Sequence, residues 1–141
     1  MEELKNQLIK LCLRWERLIG VAPHITSAIS EYDAMKLVGM SEEEILKQAK
    51  GKTAVQKGYD FLYKGVKYQV KANRPSGKKG SFVTLTSKVK NYEFDKLIWI
   101  LYNKEFGIEK AYIWDAKEYK EKLGNLKQVR PIHLIKGQRI V

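Results

Sequence analysis

The chain predicts an α/β fold, and three observations predict it. The first fifty residues carry apolar side chains at helical spacing between capping signals. Residues 58–71 alternate in the manner of a two-stranded hairpin. Two later apolar runs of strand length, 96–102 and 110–114, precede a helix-like stretch at 116–123. No repeat, low-complexity segment or linker interrupts the 141 residues. A single domain over 1–141 is therefore expected, with a helical part at 1–50 and a sheet-containing, basic part at 51–141, a length that can bury one core.

Residues 3–18 place Leu4, Leu8, Leu11, Trp15 and Leu18 at helical spacing, with Gly20 as the stop and Pro23 as a break beyond it. A second helix is expected over 26–38, ended by Gly39. Ser41 followed by Glu44 has the form of a capping box for a third helix through Lys50. The hairpin comes next, turning at Lys64-Gly65, then a Gly-, Pro- and Lys-rich loop over 74–80 and a short extended segment at 82–85. The two apolar runs are strands separated by a turn around Gly107. Residues 116–123 read as a helix, and 132–141 as a final strand pair turning at Gly137.

The net charge of +11 is unevenly placed. Residues 1–50 hold seven basic and eight acidic side chains, whereas 51–141 hold twenty and eight. A one-sided field of this kind favours a nucleic-acid or other anionic partner. No segment approaches the roughly 20 apolar residues of a spanning helix, and no signal peptide opens the chain, so a membrane partner is not expected. Cys12 is the only cysteine, which excludes an internal disulfide framework and fits a reducing cytoplasm. With only His24 and His133 beside it, a structural zinc site is not expected, and both histidines read as surface or packing residues.

Between Lys52 and Lys90 there are ten Lys or Arg residues and one carboxylate, Asp60. With Lys64-Gly65 as the loop, Asp60 falls opposite Gln69. Strand alternation then puts Gln69, Lys71, Leu62 and Lys67 on the face of Asp60, and Phe61, Tyr63, Val66, Tyr68 and Val70 on the other. A shift of the loop by one residue would break this convergence. The spelling alone is weak evidence: Gln48-Ala49-Lys50, Glu3-Leu4-Lys5 and Glu118-Tyr119-Lys120 have the same form but lie in helix-like segments.

An Asp on one strand and Gln-x-Lys on the next resembles the restriction-endonuclease-like, or PD-(D/E)XK, nucleases in a Gln-x-Lys variant. In that family the Asp and a (Asp/Glu)-x-Lys bind magnesium and orient the attacking water. Here Gln69 replaces the second acid and Tyr59 replaces the proline. The resemblance covers roughly residues 25–115 and implies a mixed central β-sheet flanked by helices, preceded by an N-terminal helical segment. It also implies Mg2+, or Mn2+ in its place, held by Asp60, the backbone carbonyl of Val70 and an acid from a preceding helix. Glu31, on the helical line of Ala28, Met35 and Val38, has the right place in chain order; Asp33 is the substitute if the helix is rotated. Gln69 brings an amide oxygen without charge. Lys71 would orient or help deprotonate water and offset charge in the transition state.

Arg74, Lys78, Lys79, Lys88 and Lys90 follow the hairpin and are the candidate phosphate contacts. The aromatics Tyr59, Tyr63, Tyr68, Tyr92, Trp99 and Trp114 read mostly as core. Three functions fit: a metal-dependent DNA endonuclease of restriction or repair type, a catalytically silent relative that binds nucleic acid, and an RNA-binding accessory domain. For the first, double-strand cleavage by so small a chain would need a homodimer with two sites.

Overall fold

The computed structural model describes residues 1–52, 58–78 and 85–141. Five strands form one mixed sheet in chain order: β1 (Phe61–Tyr63), β2 (Val66–Asn73), β3 (Lys96–Tyr102), β4 (Ile108–Asp115) and β5 (Gln138–Arg139). The β2/β3 pair is parallel and the other three are antiparallel. Helices α1 (Glu2–Ile19), α2 (Thr26–Leu37) and α3 (Glu42–Lys50) precede the sheet, and α4 (Ala116–Leu123) and α5 (Pro131–Leu134) follow β4.

The central strand β3 explains the layering. Its alternate side chains are buried on both faces, as expected of an interior strand covered on both sides. Ile98, Ile100 and Tyr102 join Ile29, Tyr32, Met35 and Ile45 from α2 and α3 in one core. Leu97 and Trp99 join Trp114, Tyr119, Leu123 and Leu134 in a second core beneath α4 and α5.

Local signals set the helix ends. Gly20 (φ 94°) and Gly39 (φ 93°) take the left-handed conformation just past α1 and α2, where a Cβ is disfavoured. Ser41 accepts from the Glu44 N–H, and the Glu44 carboxylate accepts from the Ser41 N–H, closing the expected capping box.

Two expectations change. The end of the chain is not a strand pair: Pro131 opens the short α5, and only Gln138–Arg139 adds to the sheet, against β4. The physical cause is packing at Gly137, where an added Cβ would lie 2.5 Å from Nε1 of Trp114. That indole donates to the Leu134 carbonyl at 3.0 Å, which fixes the turn as the end of α5. In α2, Ala28 is exposed and Val38 only half-buried, so the core face runs through Ile29, Tyr32, Asp33 and Met35. The expected extended segment at 82–85 lies outside the described residues except for Leu85, which is exposed and in no strand.

Asp33 is a structural anchor. Its carboxylate accepts from Lys5 Nζ at 2.6 Å and from the Tyr102 hydroxyl at 2.6 Å, joining α1, α2 and β3. Burial lowers the Lys5 pKa, but the bond and charge of Asp33 outweigh it and hold the ammonium above its ordinary value. Burial, with the Asp33 charge, keeps the Tyr102 hydroxyl protonated well above the usual tyrosine range.

Candidate functional site

The site is made by a difference in strand length. The hairpin pairs Phe61 with Tyr68, Leu62 with Lys67 and Tyr63 with Val66, the register that the Lys64-Gly65 loop dictates. Lys64 (φ 49°) and Gly65 (φ 77°) both take positive φ, as a tight hairpin turn requires. β1 stops at Phe61, whereas β2 continues to Asn73. Beyond Tyr68, the β1-side edge of β2 has no strand partner among the described residues.

Asp60 stands at this step. Its N–H donates to the Tyr68 carbonyl at 2.7 Å, although Tyr68 already faces Phe61, so two residues of one strand oppose one of the other. Such bulges re-aim a side chain. The Asp60 carboxylate turns onto the open edge, where Oδ2 accepts from the Val70 N–H at 2.6 Å and from Gln69 Nε2 at 2.8 Å. Among the described residues Oδ1 accepts no hydrogen bond.

The backbone of Lys67 bonds Asp95 on the β3 side, while Tyr68 bonds toward β1. Alternation along the strand therefore aims both backbone groups of Val70 at the open edge, its N–H at Asp60 and its carbonyl beside it.

Gln69 and Lys71 lie level with Leu97 and Trp99 of β3. Lys71 Nζ donates to the Ser87 hydroxyl at 2.9 Å. The segment carrying Ser87 is pinned by Asn73, whose side chain accepts from Thr86 and Trp99 and donates to the Leu85 carbonyl.

From the other side, the start of α2 brings Thr26, Ser27, Ser30 and Glu31 up to the same edge. The result is a cavity of about 240 Å³ lined by Glu31, Asp60, Gln69, Val70 and Lys71 together with Ser30 and Ser87. An adjoining hollow of about 380 Å³ continues past Lys71 to Lys88 and Lys90. A larger one of about 480 Å³ lies between α3 and the hairpin tip, but Glu44 is the only carboxylate among its described lining residues.

The charges in the cavity oppose one another. Burial raises the Asp60 pKa, the Val70 N–H counters, the nearby Glu31 carboxylate raises it further, and Lys52 and Lys71 counter again; the net direction is up. Burial likewise pulls the Lys71 ammonium below its ordinary value, against the attraction of Asp60. Glu31 is itself paired with Lys52, Nζ to Oε2 at 2.7 Å.

For a hard cation the donors are Asp60 Oδ1, Glu31 and the Val70 carbonyl. Two carboxylates repelling across a polar cavity, one with an oxygen that has no partner among the described residues, fit an oxygen-seeking ion that keeps several waters. Among the described residues no three His, Cys, Asp or Glu side chains gather, so such an ion would depend on two acids, backbone and water.

The other candidates sort by environment. Asp33 is committed to Lys5 and Tyr102 and lines neither site cavity. Arg74 is turned inward: its guanidinium bonds both Glu16 oxygens at 2.7 and 3.0 Å, donates to the Lys104 carbonyl and lies 4.7 Å from the Phe106 ring centre. The expected phosphate contact is thus the tie that holds α1 to the loop after β2. Lys78 reaches the Gly20 carbonyl at the end of α1. Lys79 lies outside the described residues. Among the described candidates only Lys88 and Lys90 are exposed and beside the site.

Sequence reasoning missed Ser87 and Lys52, which no local motif marks. It also missed the use of Gln48, whose amide accepts from the Leu62 N–H at 3.1 Å and donates to the Leu62 carbonyl, covering the outer edge of β1. No protein-family profile matches the chain, and no curated protein matches it in sequence. Among the described residues no helix is long and apolar enough to cross a membrane.

Proposed function

We propose that the chain is a metal-dependent nuclease with a restriction-endonuclease-like core, hydrolysing phosphodiester bonds in DNA in restriction or repair. The supporting observation is the gathering of Glu31, Asp60, Gln69 and Lys71 in one cavity beside Lys88 and Lys90.

Asp60, Glu31 and the Val70 carbonyl are the groups to hold Mg2+, with Mn2+ as its substitute. The bound ion supplies Lewis acidity to a phosphate oxygen. Gln69 holds Asp60 Oδ2 and so leaves Oδ1 for the ion, but adds no charge, which lowers cation affinity relative to a two-acid motif. Lys71 sits where burial eases loss of its proton. It orients the attacking water, helps to deprotonate it and offsets charge gathering on the phosphate. Lys88 and Lys90 contact the backbone of the substrate.

The second reading is a catalytically inactive nuclease-fold protein that binds DNA or RNA. It is favoured by the closed polar network in which Gln69 donates to Asp60 and Lys52 neutralises Glu31.

Duplex, single-stranded and branched DNA incubated with Mg2+ or Mn2+ separates the two, beside Asp60→Ala and Lys71→Ala. Cleavage by the wild type, absent in both variants, is expected. Cleavage surviving both substitutions would place the chemistry elsewhere, and salt-sensitive binding without cleavage would favour the silent reading.

The phosphate-binding lysines have their own test. Replacing Lys88 and Lys90 by alanine should flatten the dependence of log K on log salt by about 0.9 for each phosphate no longer neutralised. Arg74→Ala should leave that slope unchanged and instead cost about 3 kcal/mol of stability, as breaking a buried ion pair does.

A further inference from the structure

The most regular apolar pattern in the chain faces away from its core. Leu4, Leu8, Leu11, Trp15 and Leu18 recur at alternating steps of four and three, the spacing that keeps one helical seam against a partner helix. These five side chains are 38 to 74% exposed. α1 docks on its own domain through a different face, with Cys12 buried, Ile9 and Leu13 against the core, Lys5 bound to Asp33 and Glu16 bound to Arg74. At 100° per residue the two faces lie about 120° apart.

We propose that this seam pairs with the same seam of a second copy of the chain, antiparallel. A heptad seam is self-complementary, and one register sets Leu4 against Trp15 of the second copy and Leu8 against Leu11. The helix dipoles select the direction, since antiparallel pairing opposes them favourably whereas parallel pairing sets like ends together. Glu2 takes no part, because its carboxylate is held by Lys5 and Tyr32 of its own domain.

Area agrees. The five side chains expose roughly 500 Å², a patch at the upper end of what monomers carry. Ile19 and Val21, 64 and 69% exposed, extend it toward the roughly 800 Å² per partner of a stable interface. The pairing is independent of the nuclease reading and stands or falls by its own test.

Sedimentation equilibrium of the full chain over micromolar concentrations should give twice 16.4 kDa for the wild type. Leu11→Glu should give a monomer with unchanged far-ultraviolet circular dichroism, because Leu11 is 63% exposed and outside both cores. With buried Cys12 left in place, the double variant Leu4→Cys, Trp15→Cys should oxidise to a covalent dimer, and Leu4→Cys alone should not. A monomeric wild type, or a Leu11→Glu variant that remains dimeric, would overturn the interface. A Leu4→Cys variant that cross-links to itself would overturn the antiparallel register.

Discussion

Asp60→Asn is expected to abolish cleavage while making the metal-free protein more stable. On the proposed nuclease reading, loss of activity by a factor on the order of 10²–10³ or more follows from removing the carboxylate whose Oδ1 accepts no hydrogen bond among the described residues and which lines the cavity with Lys71. The gain in stability follows from the direction of the Asp60 pKa, which burial and the Glu31 charge raise despite the Val70 N–H and two lysines. An acid with a raised native pKa carries no penalty below its unfolded value of about 3.9. The penalty enters as pH rises from there through the native value and is complete above it.

The asparagine oxygen can still accept from Val70 and Gln69, so the variant keeps the bonds and sheds the charge. Thermal unfolding without metal should therefore show the variant above the wild type at pH 7, with the gap closing on acidification toward pH 4. Millimolar Mg2+ should raise the wild-type midpoint and leave the variant unmoved, since an ion that binds only the folded state stabilises by mass action. A variant less stable than the wild type at pH 7 would mean that Asp60 is a structural ion-pair partner.

The largest loss of stability should come from Asp33→Ala, at about 3–5 kcal/mol, because it strands the Tyr102 hydroxyl in the core and leaves the half-buried Lys5 ammonium only the exposed Glu2. Asp33→Asn keeps an acceptor for Tyr102 but loses the ion pair, and should fall between alanine and the wild type. Urea denaturation reads both as a lower midpoint at constant slope. The ion pair contributes fully below the ordinary lysine pKa and is lost as pH rises through the elevated value of Lys5, so Asp33→Asn, which keeps the Tyr102 acceptor, should converge on the wild type in strong alkali while Asp33→Ala stays below both. If Asp33 instead served the site, its removal would impair cleavage without shifting the urea midpoint.

These two acids show what the sequence can and cannot reveal. Gln69 and Lys71 are legible because a hairpin encodes its own register once Lys64-Gly65 is the turn, whereas Asp60 leaves that register at the bulge, bonding Tyr68 through its N–H and reaching Gln69 only through its side chain. On α2, Glu31 and Asp33 lie two residues and about 200° apart, so the choice between them depends on helical phase. That phase is set by Lys5 and Tyr102, 28 and 69 residues away, which leave no trace in the local pattern.

Arg74 misleads for the same reason, since its partner Glu16 is 58 residues distant and the basic loop around it suggests solvent. Helix α1 is legible as a helix, yet its most conspicuous stripe points away from the interior. Periodicity reports an apolar face and not what the face touches. At the chain end, Pro131 and the contact of Gly137 with Trp114 outweigh an apolar run that reads as strands.

The Glu31–Lys52 pair gives the cavity an internal competitor. An ammonium already sits 2.7 Å from a carboxylate that the proposed ion would have to share, so a divalent cation would enter by exchange rather than by simple addition. Lys52 would then act as a tethered counter-ion that sets a threshold, keeping Glu31 neutralised until the free cation is concentrated enough to displace it. Lys52→Gln should move the Mg2+ dependence of thermal stability to lower concentrations, and an unchanged titration would show that the lysine exerts no such restraint.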